Sequence, residues 1–455
     1  MLERKIDRLI EVHFEKSKSA LLLTGARQTG KTFAIRNYAQ KKKLNLIEVN
    51  FLESPSACDI FADAVDVAEV LVRLSAYAKR KMEPGRTLIF FDEVQKCPDV
   101  VTWIKFLVDD GRYRYALSGS LLGVELKNVR SVPVGYLSIE EVYPLDFEEF
   151  ARALGVSDEV LDKVRECWTK KQSVDTVVHE ALMRLIRLYL VVGGMPAVVQ
   201  TYVDSNDIRA VQRKQKEILD LYKWDISQYD SSNKLFINEI FDIIPTELNA
   251  KNKRFVLKNL NEHAHFSRLE NGFVWLKDAG VALPTYNVEV PCVPLKLNEQ
   301  RNLFKLFQSD VGLLASQYAD DCALQLLKGE VTINYGAIYE NFVAQELHAH
   351  GWNLHYFNSK KQGELDFVIE EDGEVVPIEV KSGKDYDRHR ALANVMTNEL
   401  YQICKAYVLC NDNLAVKDKI VYLPIYMLMF IQRRKSTAPL IFKPPLEGLE
   451  PKGGK

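Results

Sequence analysis

Long apolar runs are missing from this chain. No stretch reaches the ~18 residues that read as a membrane-spanning helix. The nearest, IVYLPIYMLMFI (420–431), is short and interrupted by Pro424. Paired cysteines are missing too. Seven Cys are scattered without a Cys-x-x-Cys pair, so neither a zinc site nor a disulfide framework is signalled. Charge of one sign is also lacking: 60 Lys and Arg face 62 Asp and Glu, for a net charge of −2. That excludes a whole-chain basic footprint for nucleic acid and leaves only a local basic face. The N-terminus MLERKIDRLI is charged and amphipathic, unlike a signal peptide. The expectation is a soluble, cytoplasmic protein with no membrane partner.

What is present is ample for folding. The 455 residues give a length prior of about three domains. The 47% hydrophobic content is ordinary for a globular chain.

The first strong signal is ALLLTGARQTGKTFAIRNYA (20–39). An apolar run passes through G-x-x-x-x-G-K-T into a helical pattern. Strand, glycine-rich loop and helix in that order are the context a phosphate-binding P-loop needs. Gly25 and Gly30 let the backbone curl so that its N–H groups face phosphates, and the helix N-terminus adds a favourable dipole. Lys31 is placed to reach the β- and γ-phosphates of ATP, and Thr32 to ligate Mg²⁺.

A second signal is TLIFFDEVQKCPDV (87–100), a buried strand ending in Asp92-Glu93. Beside a P-loop, Asp92 is expected to hold Mg²⁺ through water, and Glu93 to polarise the attacking water as general base. YRYALSGSL (113–121) reads as another strand. Its polar end puts Ser118 or Ser120 near the γ-phosphate; a plain serine turn is the alternative. LNLIEVNF (44–51) and VGYLSIEEVYPLDFEEFARAL (134–154) supply further strands and a helix. Strands alternating with helices predict a parallel α/β sheet. Candidates for an arginine finger are Arg112, Arg114 and Arg130.

The middle of the chain reads as helical and charged. ALMRLIRLYLVVGGMPAVVQTYV (181–203) breaks at Gly193-Gly194-Met195-Pro196, as two glycines and a proline require. A helical lid over an ATPase core fits this pattern. FVWLKDAGVALPTYNV (273–288) and CVPLKLN (292–298) read as a helix end and two strands. With KNKRFVLKNLNEHAHFSRLENGF (251–273), they predict a winged-helix-like segment. Its Lys251, Lys253, Arg254 and Lys258 are either backbone contacts for DNA or a solvated helix face.

The last signal is GELDFVIEEDGEVVPIEVKSG (363–383). Two alternating runs flank Asp372-Gly373, a hairpin turn signal. Asp366 lies in the first strand. Glu379 and Lys381 are two apart in the second and so share a face. Two carboxylates and an ammonium suit a divalent metal, Mg²⁺ or Mn²⁺, with the lysine activating water or steadying a phosphate. Upstream, GAIYENFVAQELHAHG (336–351) is a helix that offers Glu340 to the same metal, with Gln345 and Glu346 as further candidates. A structural acid network is the plainer reading.

This order resembles the PD-(D/E)XK, restriction-endonuclease-like fold: a helix with Glu340, a strand with Asp366, then Glu379-x-Lys381. The whole chain, from about 15 to 430, is similar to bacterial and archaeal ATP-binding proteins that join an AAA-type ATPase domain to a C-terminal domain of unknown function with an endonuclease-like fold. The resemblance rests on LLLTGARQTGKT, IFFDEVQKCP, ALSGS, YPLDFEEF, GGMPAVV, SDVGLLA, GAIYENFVAQEL, ELDFVI and PIEVKSG. It implies ATP and Mg²⁺ at Lys31, Thr32, Asp92 and Glu93. Many relatives carry Gly-Arg where this chain has Gly135-Tyr136.

The expected organisation is a P-loop ATPase core (1–155), a helical lid (156–230), a winged-helix-like domain (231–320), a nuclease-like α/β domain (321–435) and a Pro/Gly/Lys-rich tail (436–455). Two functions stay open, beside a weaker third in which the chain is a nuclease whose P-loop only binds nucleotide structurally. One is an ATPase gating a metal-dependent nuclease on DNA or RNA. The other is an ATP-driven switch that binds nucleic acid or a protein client without cutting. An oligomer fits either.

Overall fold

The computed structural model describes residues 2–120, 135–229, 234–250, 253–255, 266–329, 335–383 and 385–433. Arg130, Lys251, Lys258 and the tail 436–455 therefore lie outside the described residues.

Apolar runs buried on both faces build the first sheet. β1 (Ala20–Thr24), β2 (Asn45–Asn50), β3 (Thr87–Asp92), β4 (Arg114–Ser118) and β5 (Leu137–Glu141) align in the order β2-β3-β4-β1-β5. Every pairing is parallel. β3, TLIFFD, is buried at each position, as a strand covered by helices on both faces must be. Lys5–Lys16 and Lys31–Lys41 cover one face through Ile10, Phe14 and Ile35. Val67–Ala78 and Asp99–Asp110 cover the other through Val70, Leu74 and Ile104.

Helices follow: Asp158–Lys170, Thr176–Val192, Pro196–Ser205, Ile208–Tyr229 and Lys234–Asn249. The break at Gly193–Met195 falls where the glycines and Pro196 place it.

The second sheet has eight strands in the order β12-β13-β11-β10-β9-β8-β6-β7. They are β6 (Ala282–Val288), β7 (Glu299–Gln308), β8 (His355–Ser359), β9 (Gly363–Glu371), β10 (Glu374–Val380), β11 (Ala406–Cys410), β12 (Ala415–Lys417) and β13 (Ile420–Pro424). Asp372 and Gly373 take positive φ of 52° and 84° at the β9–β10 turn, the conformation Asp-Gly favours.

The winged-helix-like segment takes a different form. β6 pairs parallel with β8, so β6 and β7 extend the C-terminal sheet instead of standing as a separate wing. The expected strand at 292–298 is a turn and a 3₁₀ segment, Leu295–Asn298. Pro291 and Pro294 have no N–H for a ladder, and the pairing strand starts at Glu299. One hydrophobic core runs from Leu145 and Tyr189 through Phe241 and Phe307 to Phe342 and Met427. The helical middle and the C-terminal sheet are thus packed as one unit. The helix Gly336–Ala349 lies at its centre, with Ala337 to Leu347 all buried.

Candidate functional site

The loop after β1 turns on two glycines. Gly25 has φ 121°, and a Cβ there would stand 2.4 Å from Val142 O. Gly30 has φ 94° and caps the helix Lys31–Lys41. Lys31 Nζ donates to Gly25 O at 2.9 Å and Ala26 O at 2.7 Å, which holds the ammonium over the loop. Burial pushes the Lys31 pKa down to about 8, against the pull of Glu93 and Asp92.

Thr32 Oγ1 donates to Asp92 Oδ1 and Oδ2 at 3.2 and 3.0 Å. Asn50 Nδ2 donates to Asp92 Oδ2 at 3.3 Å, and the Ser118 hydroxyl also bonds Asp92. Burial raises the Asp92 pKa despite those two hydroxyls. Glu93 sits at φ 57°, just past the strand. It accepts from Ser120 Oγ at 3.1 Å and from Gln95 Nε2. The two serines thus divide: Ser118 serves Asp92, and Ser120 serves Glu93. Gln95 went unread in the sequence, although it stands two residues after Glu93 in the same loop.

A cavity of about 620 Å³ opens over this loop, lined by Arg27, Lys31, Thr32, Glu93, Pro196 and Leu221 among others. Its size suits a nucleotide-class ligand. The Thr32 hydroxyl and Asp92 carboxylate are hard oxygens facing one another, a donor set that fits Mg²⁺. Of the arginine-finger candidates, the two among the described residues, Arg112 and Arg114, do not line the cavity. Arg112 pairs with Asp110 at 2.8 Å, and Arg114 donates to Ser17 O at 2.6 Å.

In the C-terminal sheet, β9 and β10 place Asp366 beside Glu379. Val380 N donates to Asp366 Oδ2 at 2.9 Å. Lys381 Nζ lies 3.2 Å from Glu379 Oε2. Burial and then Asp366 push Glu379 up to about 8. Burial and Asp366 also raise Glu340. Glu340 is engaged by two lysines: Lys253 Nζ pairs with its Oε1, and Lys305 Nζ lies 3.6 Å from its Oε2. Lys305 is fully buried and 2.7 Å from Glu364 Oε1. Burial opposes its charge, but Glu340, Glu364 and Asp366 overcome that and raise its pKa.

This arrangement does not fit a divalent ion held by Glu340, Asp366 and Glu379. Ammonium groups already neutralise Glu340. Among the described residues, no cluster of three or more His, Cys, Asp or Glu is arranged to hold a metal. Lys253, expected as a possible DNA contact, is spent on Glu340.

Gln345 and Glu346 point elsewhere than Glu340. Phe147 N donates to Glu346 Oε1 at 2.9 Å, and Gln345 Nε2 donates to Tyr189 Oη at 2.8 Å. Six residues along a helix is a rotation of roughly 240° and five roughly 140°, so Glu346 meets Phe147 of the ATPase core while Gln345 meets Tyr189 of the following helices and Val311. Lys5 Nζ pairs with Asp146 at 2.5 Å and Glu148 at 2.7 Å. One buried helix therefore carries a residue of the C-terminal candidate site, Glu340, and also bonds Phe147 of the ATPase core.

Residues 17–151 are an AAA-type P-loop ATPase domain, matching the family model described as "AAA domain". Two further stretches match models described only as domains of unknown function: DUF8612 over 183–321 and DUF4143 over 335–428. Among solved structures, the chain is similar to a Walker-type ATPase of Pyrococcus abyssi. They are 14% identical over 70% of this chain and 96% of that one, with a TM-score of 0.41. It is also similar to the Orc1 protein of Aeropyrum pernix in complex with DNA, 14% identical over 72% of this chain and 93% of that one, TM-score 0.29. The RuvB Holliday junction branch migration motor of Thermotoga maritima is 15% identical over 62% of this chain and 90% of that one, TM-score 0.28. No curated protein matches. No helix among the described residues is long and apolar enough to cross a membrane.

Proposed function

We propose that the chain is a Mg²⁺-dependent ATPase whose C-terminal domain binds nucleic acid under nucleotide control and does not cut it. The observation that carries the ATPase is the division of labour at the end of β3. Asp92 is bonded to Thr32 and Ser118, while Glu93 stands apart with Ser120 and Gln95. Thr32 and Asp92 would hold Mg²⁺. When bound, the ion neutralises charge on the β- and γ-phosphates. Lys31 binds the same phosphates. Glu93 accepts a proton from water as the water oxygen bonds to the γ-phosphorus. The bond from phosphorus to the bridging oxygen of ADP breaks, and ADP leaves.

The nucleic-acid reading is supported by a second cavity, of about 470 Å³. Arg184, Arg187, Ser382 and Asn411 line it, and Ser382 directly follows Lys381 in the sequence. Glu180 at its rim engages Arg184 only at 3.9 Å with both side chains well exposed. Guanidinium groups of this kind recognise phosphate. The silent site is supported by Lys305 and Lys253 at Glu340. Cutting is the second reading, favoured by the closeness of Asp366, Glu379 and Lys381.

The test is labelled single- and double-stranded DNA and RNA, with Mg²⁺ or Mn²⁺, with and without ATP. The proposal expects ATP-dependent retention without cleavage, lost in Arg184→Ala/Arg187→Ala and kept in Lys381→Ala. Cleavage abolished by Lys381→Ala overturns it in favour of a nuclease. Absence of any nucleic-acid binding points to a protein client.

A further inference from the structure

Arg27 sits in the middle of the phosphate loop, and the ATPase reading has given it no task. Its guanidinium lines the nucleotide cavity with Lys31, Thr32 and Glu93. Nη1 is 2.5 Å from Asp225 Oδ1, and the two side chains are only 16% and 6% exposed. Asp225 belongs to the helix Ile208–Tyr229, far along the chain. Three residues earlier, Tyr222 Oη donates to Arg27 O at 3.0 Å. The lid helix therefore grips the loop twice at one residue.

Arg27 is within electrostatic reach of Lys31, and Asp225 within reach of Glu93. Arg27 shares the cavity lining with both Lys31, which would bind the γ-phosphate, and Glu93, which would hold the attacking water. The other two lining arginines have their guanidinium groups in bonds of their own, Arg4 also to Thr29 O of the loop at 3.3 Å. Arg4 bonds Glu149 at 3.1 Å and Tyr143 O at 2.8 Å, and Arg36 bonds Glu48 at 2.8 Å. Asp225 is a weak holder, because burial pushes its pKa up to about 6 even with Arg27 beside it. A phosphate with more charge, closer at hand, would compete well for the guanidinium.

We propose that Arg27 is the arginine finger of this ATPase, supplied in cis by the P-loop, and that Asp225 of the lid helix exchanges it with the γ-phosphate of ATP. This rests on the ATPase reading above. As water attacks and its proton passes to Glu93, Arg27 neutralises charge on the γ-phosphoryl oxygens while the bond to ADP breaks. Freed of Arg27, Asp225 lets the helix move. That helix also holds Val191 O and Val192 O through Gln215 Nε2, at 2.8 and 3.0 Å, beside the Gly193-Gly194 break. The same exchange thus reports nucleotide state to the lid.

The experiment compares wild type, Arg27→Ala and Asp225→Asn in steady-state and single-turnover ATP hydrolysis. Fluorescent ADP binding and trapping of ADP with aluminium fluoride are read alongside. For Arg27→Ala, kcat should fall by about 10³-fold or more. ADP affinity should stay within about threefold, trapping should fail, and added guanidinium ion should restore part of the rate. For Asp225→Asn, KM for ATP should fall several-fold, because Arg27 no longer has to leave a carboxylate. Hydrolysis at the wild-type rate in Arg27→Ala overturns the proposal alone. So does an equal loss of ADP and ATP affinity without rescue by guanidinium, which marks a merely structural loop residue. A folded wild type that neither binds nor hydrolyses ATP overturns the ATPase reading and this proposal together.

Discussion

Lys305→Met asks whether an ammonium takes the place of a cation in the C-terminal sheet. The side chain is fully buried, and its Nζ lies 5.0 Å from the centre of the Tyr356 ring. Its 2.7 Å approach to Glu364 is too bent for a good hydrogen bond, so the attraction is chiefly coulombic. Methionine fills most of the stem's volume and removes only the charge. The variant leaves Glu340 buried with Lys253 as its remaining ion-pair partner and Asp366 beside it. Removing one partner of a buried pair costs about 3–5 kcal/mol. Lys253 and the readiness of Glu340 to take up a proton offset part of that, so about 3 kcal/mol is expected at neutral pH. The sign with pH follows from Glu340. Burial already raises its pKa, and loss of Lys305 raises it further, so acid relieves the variant. Urea unfolding without nucleotide, at about pH 8 and about pH 5, should show a smaller deficit at the lower pH. Mn²⁺ should recover part of the deficit in the variant and leave wild type nearly unmoved. A variant as stable as wild type at the higher pH, or a wild type that gains as much from Mn²⁺ as the variant, would refute the reasoning.

Other expectations follow from the contacts between the two halves. Gly194→Ala would put a Cβ 2.0 Å from Leu145 O and 2.9 Å from Leu145 N. Both are backbone, so relief requires the lid to shift; a loss of about 3 kcal/mol or more is expected in thermal or urea unfolding. Asp310 is buried and accepts from Gly194 N at 2.6 Å and Leu313 N at 3.0 Å. Burial nonetheless pushes its pKa up to about 6. A carboxyl raised on folding favours the folded state at low pH and loses that contribution as pH rises from about 4 to about 6. The stability advantage of wild type over Asp310→Asn should therefore narrow across that range, as measured by denaturant midpoints. Glu346→Gln keeps an acceptor for Phe147 N and removes a carboxylate that burial pushes well up. It should cost less than about 1 kcal/mol, whereas Glu346→Ala should cost about 2 by leaving that N–H unpaired.

The sites differed in how far the chain alone revealed them. The P-loop was legible because its chemistry is local: two glycines with positive φ, a lysine and a threonine fall within the eight residues from Gly25 to Thr32. The β9–β10 hairpin was legible for the same reason, since Asp372-Gly373 dictates its turn. Partners brought in from far along the chain were not legible. Arg27 and Asp225 are separated by 198 positions, and no local pattern marks Asp225 among the charged residues of its helix. Lys305 left one faint sign, a lysine amid the apolar residues of NLFKLF on β7. The parallel pairing of β6 with β8 was equally hidden, because strand periodicity does not name a strand's neighbour. It redirected the expected wing into the C-terminal sheet, and with it the lysine that engages Glu340.

The central claim is that the end of β3 carries a working ATPase, with Asp92 for the metal and Glu93 for the water. Its most direct test is phosphate release from ATP and Mg²⁺ by wild type, Lys31→Ala and Glu93→Gln, with ATP binding measured on the same samples. The account expects Mg²⁺-dependent turnover in wild type. It expects loss of both binding and turnover in Lys31→Ala, and retained binding with turnover reduced by about 10²-fold or more in Glu93→Gln. Turnover that persists in Glu93→Gln, or a folded wild type that binds ATP without releasing phosphate, would contradict it.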